Sequence, residues 1–263
     1  MEARTLSEPA VSAATSALPP GSATQDGTLT RCVGPLTVCR VAEQSEREGG
    51  VDARATTLAT LAGAGVVLYG LIDVALAFLR PGLSLIHHPE SDYGVGPYSW
   101  LMDLNFLLRA GLSLSLVAAL TRVARRSGPL RAGLWLVGGW AVASGLLAYF
   151  PDDPLGTPVT HSGKIHLLLA LIAFLCAAAG TLVLSLRVDY LARLRPLQPL
   201  LIGISTLAVL ALLALGRVGF GVHSDGGLME RLFLGLELLW ILVVAVRIAH
   251  RPEVDERFTG APT

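Results

Sequence analysis

Six apolar stretches follow one another between residues 56 and 249. Each is close to the ~20 residues that an α-helix needs to cross ~30 Å of hydrocarbon. They fall near 56–80, 100–121, 132–150, 164–187, 198–217 and 228–249. Lipid offers no hydrogen-bond partner to a backbone N–H or C=O, so a spanning segment must satisfy both internally. The stretches are therefore expected to be helices. The expected fold class is an all-α integral membrane protein, a six-transmembrane-helix bundle with a disordered N-terminal tail. Composition agrees: 52% of residues are hydrophobic and only 15% charged, against roughly 25% charged in soluble domains. Gly63, Gly65, Gly70, Gly138, Gly139, Gly145 and Gly180 lie within the runs, and small residues let membrane helices approach closely.

The domain reading follows. Residues 1–54 are rich in Ala, Ser, Thr, Pro, Gly and Glu without periodicity, and are expected to be a disordered tail. They lack the basic start and apolar run of a secretory signal. Residues 55–250 form the transmembrane domain and 251–263 a C-terminal tail. Glu48-Gly49-Gly50 followed by Val51 can be encoded by a ribosome-binding sequence and a GTG start, so the tail is also open to being a mis-assigned start. Cys32, Cys39 and Cys176 show no zinc-finger or disulfide spacing. Formal net charge is zero, and nothing points to nucleic acid. Membrane lipid is the partner that this composition implies.

Orientation is read from basic residues in the short loops. Arg122, Arg125, Arg126, Arg131, Arg187, Arg193, Arg195, Arg247, Arg251, Arg257, Arg47 and Arg54 lie on one side; Arg80, Lys164, Arg217 and Arg231 lie on the other. Twelve against four puts both termini in the cytoplasm of a plasma-membrane protein. The loops at 81–99, 151–163 and 218–227 then face outward.

Those loops carry the chemistry. His87, His88, His161, His166 and His223, five of the six histidines, lie in or beside them, with Glu90, Asp92, Asp152, Asp153, Asp225 and Glu230. The segments share a faint Ser/Asp/His/Gly pattern, which is either a repeat or ordinary loop-and-cap chemistry. Candidate catalytic residues are His88, Ser91, Asp92, Asp103, His161, His166 and His223, because histidine suits general acid–base work near neutral pH. No established cofactor is implied. A zinc site from His161, His166, His223 and Asp92 is the metal candidate. It requires separate hairpins to converge, since His161 and His166, five apart, lie about 140° around a helix. The plainer account is capping and hydrogen bonding. Ser91, Ser162 and Ser224 each neighbour an acid or His, but no GxSxG elbow, P-loop or complete GxGxxG occurs. Tyr93, Tyr98, Trp100 and Tyr149 fit an interfacial aromatic belt.

Asp73, Asp103, Arg109, Glu230, Arg231 and Glu237 lie within or at the ends of the apolar runs. An ionisable group there costs ~2.5–3.5 kcal/mol on insertion scales and is a functional candidate by default. Ion pairing among Asp73, Arg109, Glu230, Arg231 and Glu237 would keep the interior neutral. Glu230 and Glu237 share one helix face, Asn105 and Arg109 another, and Tyr69 and Asp73 a third. Together they would make a polar seam.

The His88-Pro89-Glu90-Ser91-Asp92-Tyr93-Gly94 segment, the Phe150-Pro151-Asp152-Asp153 turn, the His161/His166 pair and Gly227-Leu228-Met229-Glu230-Arg231 resemble one family. It is the six-span membrane family catalogued as domain-of-unknown-function family nine-nine-eight. The resemblance covers about residues 56–250 and implies six helices with no assigned activity. From the residues, three functions stay open: a membrane-embedded hydrolase acting on lipid, a non-catalytic sensor, scaffold or partner subunit, and a small-solute or proton-coupled transporter.

The start-site expectation is testable. Mass spectrometry of the native protein should find an N-terminal peptide beginning at position 51; peptides from residues 1–50 would refute it.

Overall fold

The computed structural model describes residues 53–124, 127–188, 191–221 and 223–250. Six long helices account for most of them: α1 (Ala53–Leu79), α2 (Ser99–Val123), α3 (Gly128–Leu147), α4 (His161–Leu186), α5 (Gln198–Val218) and α6 (Gly226–Ala249). All six are long and apolar enough to cross a membrane, with a short 3-10 turn (Ala192–Leu197) leading into α5. No strand occurs among the described residues. The expected tails lie outside the described residues, as does the alternative start at Val51, except that Ala53 and Arg54 already belong to α1.

Helix ends differ from the sequence expectation for local reasons. α4 starts at His161, three residues early, because the Thr160 hydroxyl accepts from Gly163 N–H at 3.1 Å and caps it. α3 starts early too: Ser127 caps it through Leu130 N–H, and Pro129 in the first turn has no N–H to satisfy. It ends at Leu147, before Pro151, whose ring disfavours helical geometry at Phe150.

Each helix packs on the next, and α6 closes back onto α1, giving a ring; α6 also touches α2 and α4. The main core runs from Ala59, Leu116 and Trp140 to Phe233, Trp240 and Ile248. A smaller cluster of Ile72, Leu76, Tyr93, Met102, Phe106 and Leu147 lies at the end that carries the histidine-bearing loops. Tyr93 is thus fully buried and is not part of an interfacial belt, whereas Tyr98, Trp100 and Tyr149 are exposed. A short 3-10 helix (Glu90–Gly94) turns the first loop inward and carries Tyr93 with it.

Glycine sets two of the close approaches. A Cβ at Gly65 would come within 2.8 Å of the Leu112 Cβ, and one at Gly133 within 2.6 Å of Leu184. Gly70 faces open space. Gly65→Leu is expected to destabilise the α1–α2 contact by about 1–3 kcal/mol, while Gly70→Leu stays within about 0.5 kcal/mol of wild type. Thermal unfolding in detergent compares the two, and equal midpoints would refute this packing.

Candidate functional site

The site lies at the histidine-bearing end of the ring, and its first part is a lock between the loop after α1 and the start of α6. Glu230, one turn into α6, accepts the Glu90 backbone N–H at 2.7 Å. That N–H opens a 3-10 turn and has no partner within the turn, so a carboxylate from 140 residues away supplies the cap. Arg231 adds a second tie: one terminal nitrogen donates to the carbonyls of Leu85, His88 and Gly227. A Cβ at Gly227 would overlap the His88 carbonyl, so only glycine lets the loop sit this close. His87 Nδ1 meets the Ser224 carbonyl at 2.8 Å.

A second chain of bonds runs inward. Tyr69 on α1 donates its hydroxyl to Glu90, and Arg109 on α2 donates to that hydroxyl at 3.3 Å. Arg109 Nε donates to Ser144 on α3 at 3.1 Å, and the guanidinium lies over the rings of Phe106 and Tyr69. Asn105 donates to the Tyr69 carbonyl. The shared faces expected from spacing are therefore in place, and they meet. Glu230 and Glu237 are likewise both buried on one face of α6.

The third part brings in the turn after α3. Ser91 donates to Asp152 Oδ2 at 2.6 Å, and His166 Nε2 lies 3.6 Å from the same oxygen. His166 Nδ1 donates to the Phe150 carbonyl at 2.7 Å, which leaves Nε2 as the nitrogen free for chemistry. The ring rests edge-on against Phe106. Asp153 is spent on structure, accepting from Thr160 N–H and Oγ1 ahead of α4.

These groups surround a cavity of about 230 Å³. Glu90, Ser91, Arg109, Asp152, His166 and Glu230 form its polar side; Met102, Phe106, Leu147, Ala170, Phe174 and Leu234 form its apolar side. Its rim includes Val159, Leu167 and Phe220, all exposed and apolar.

The residues expected at the site divide clearly. Ser91 and His166 line the cavity. His88 and Asp92 pair with each other at 2.7 Å beside it. His161 and His223 are exposed, and Asp103 is half-buried off the cavity wall. The zinc set of His161, His166, His223 and Asp92 does not assemble: among the described residues no group of three or more His, Cys, Asp or Glu side chains is placed to hold a metal ion. His161 and His166 diverge because one turn and a half of helix separates their directions. Ser162 and Ser224 donate to loop carbonyls.

The expected ion pairs differ as well. Asp73, Arg109, Glu230, Arg231 and Glu237 form no direct ion pair with one another; the acid–histidine contacts at this end are His88–Asp92 at 2.7 Å and His166–Asp152 at 3.6 Å. Hydroxyls, ring faces and backbone groups take the place of counter-ions. Glu237, fully buried near the middle of α6, accepts from Thr181 at 3.3 Å and leaves Oε2 without a partner among the described residues. Further along, Trp240 donates to Ser185, which also meets Ser205. Asp152, Tyr69 and Ser144 were absent from the candidate set. The Phe150-Pro151-Asp152-Asp153 turn was the signal for the first; nothing in sequence singled out Ser144.

Burial pushes the Asp92 carboxyl above its usual range, and the His88 hydrogen bond opposes this only in part. A carboxyl raised on folding contributes stability below its unfolded value, near ~4, and loses it as pH rises through the folded value. Asp92→Asn cannot ionise, so its thermal midpoint is expected to gain on wild type as pH rises across the acidic range. A difference independent of pH would refute this. Arg231→Ala should release the loop, with faster amide exchange at residues 85–92; unchanged exchange would refute the lock.

The family described as "Protein of unknown function (DUF998)" matches residues 62–247. No curated protein and no solved structure matches the chain. The match covers α2 to α5 entire and most of α1 and α6, and so every residue of the cavity. This chain is an integral multi-pass membrane protein of the DUF998 family.

Proposed function

We propose that the protein draws an amphiphile from the outer leaflet of the plasma membrane into this cavity and hydrolyses it. The observation that carries the reading is the cavity's two-sided lining: a Ser91–Asp152–His166 set faces an apolar wall with an apolar rim. At about 230 Å³ the space suits a headgroup and the adjoining bond, while acyl chains would lie along Leu167 and Phe220 in lipid. Concave sites with few, well-placed polar groups are the usual form of a small-molecule site.

Hydrolysis on this set proceeds in balanced steps. Asp152 takes the Ser91 hydroxyl proton as Ser91 Oγ bonds to the substrate's carbonyl or phosphoryl centre. The leaving oxygen departs with that proton from Asp152. Water then attacks the Ser91 ester, gives its proton to His166 Nε2, and releases Ser91 Oγ, which takes that proton from His166. Each proton transfer contributes typically ~10²–10⁴-fold.

Ser91→Ala and His166→Ala are each expected to cut fatty-acid or headgroup release from mixed lipid micelles at least ~100-fold while the protein still folds in detergent. Full activity in both would refute the assignment. Wild-type release no faster than the protein-free rate would favour the non-catalytic sensor, scaffold or partner subunit.

Glu237 supports a second reading, proton-coupled transport, because polar contacts continue past it to Trp240, Ser185 and Ser205. Proton flux into liposomes that Glu237→Gln abolishes would support it; no flux with the wild-type protein would refute it.

Both readings place the cavity outside and the termini in the cytoplasm. In a cysteine-free background, His223→Cys should react with an impermeant maleimide on intact cells and Arg131→Cys should not. The reverse pattern would invert the topology.

A further inference from the structure

Arg109 is a buried cation at the cavity. It is 1% exposed, lines the cavity, and keeps its charge at any ordinary pH. Its hydrogen bonds use Nε, to Ser144, and Nη1, to Tyr69; among the described residues Nη2 has no hydrogen bond and no carboxylate pairs with the group. A guanidinium can donate five hydrogen bonds in a planar fork that matches carboxylate and phosphate oxygens. Glu90 reaches this buried cation only through the Tyr69 hydroxyl and Glu230 only at longer range, so an anionic group on a ligand would complete its donor set.

The lining also carries acidic groups. Asp152 borders the cavity with its side chain 11% exposed, and Glu90 and Glu230 lie beside it. A lone anion entering here would meet carboxyl groups as well as Arg109. A ligand with a cation next to its anion meets both demands.

Depth gives the order of the two charges. Arg109 lies ten residues, or ~15 Å, along α2 from Ser99, and helical side chains lean back toward the N-terminus. That brings the guanidinium level with Ser144, one turn before the end of α3. Asp152 lies in the turn beyond that end. The anion-binding group is thus the deeper one, next to the apolar wall, and the cation-binding group the outer one. An outer-leaflet lipid with a phosphate near its chains and an ammonium beyond it presents its charges in the same order.

We infer that the cavity takes a zwitterionic amphiphile, its phosphate on Arg109 and its ammonium at Asp152. This rests on the cavity being an amphiphile site but not on any turnover there.

The test uses the full chain in a non-ionic detergent and measures dissociation constants by calorimetry. The probes are a short-chain diacyl phosphoethanolamine, a short-chain diacyl phosphoglycerol, a short-chain diacylglycerol and free phosphoethanolamine. The zwitterionic lipid is expected to bind at least about tenfold tighter than each of the other three, the scale of one charge-assisted hydrogen bond. Arg109→Gln should erase the preference over diacylglycerol. Asp152→Asn, nearer the surface and safer for folding, should erase the preference over the phosphoglycerol lipid. Equal binding of all three lipids, or tightest binding of the phosphoglycerol lipid, overturns the inference while leaving an amphiphile site. Free phosphoethanolamine binding as tightly as the lipid overturns the amphiphile part. No binding of any probe overturns both this inference and the site reading beneath it.

Discussion

A guanidinium that cannot lose its proton has been buried between helices at the edge of a cavity, and the arrangement around it follows from that constraint. On insertion scales a central Arg costs ~2.5–3.5 kcal/mol, and snorkelling toward the interface reduces the cost. Arg109 leans toward the histidine-bearing end, where Ser144 and Tyr69 receive it and Phe106 faces it. Tyr69 passes the contact on to Glu90, and Glu90's backbone passes it on to Glu230. Four helices and one loop are tied through a single charge. Remove the charge, and Tyr69 and Ser144 lose their donor while the cavity loses its one permanent cation.

The polar chemistry of the bundle is mostly not ionic. A direct carboxylate–guanidinium pair would neutralise Arg109 but would also fill the space beside it. Hydroxyls and aromatic faces solvate the cation from one side and leave the other open. The same economy recurs at Glu237, which has one hydroxyl partner, and at Trp240, whose N–H ends on Ser185. In lipid such contacts are worth modest amounts, ~0.6 kcal/mol on average. They organise helices without closing off every polar atom.

The helices and their order were legible in the sequence because spanning lipid imposes a length and an apolar run that few other folds share. The gathering of the three histidine-bearing loops at one end followed from an even number of crossings between them. Shared faces were legible too: Asn105 with Arg109, and Glu230 with Glu237, needed only helical periodicity. What the sequence could not reveal was which faces meet. The zinc set paired residues by type, but His161 opens α4 facing out, while His166 turns in. Tyr93 was read as interfacial because it lies in a loop; the 3-10 turn that buries it depends on a cap from α6. Ser144 was one serine in an apolar run, and its role appears only once Arg109 reaches it.

That cap has a consequence for how the protein comes into being. Glu230 belongs to the last helix, and the Glu90 N–H it satisfies belongs to the first loop. Membrane helices are made and inserted from the N-terminus onward, so five of them can be in place while the roof of the cavity is still unmade. Until α6 arrives, Glu90 lacks its carboxylate cap, Arg231 is not there to gather the Leu85 and His88 carbonyls, and the ring has a gap between α5 and α1. Closing the ring and finishing the site are the same event. The last helix is thus the keystone that closes the ring and completes the lining of the cavity.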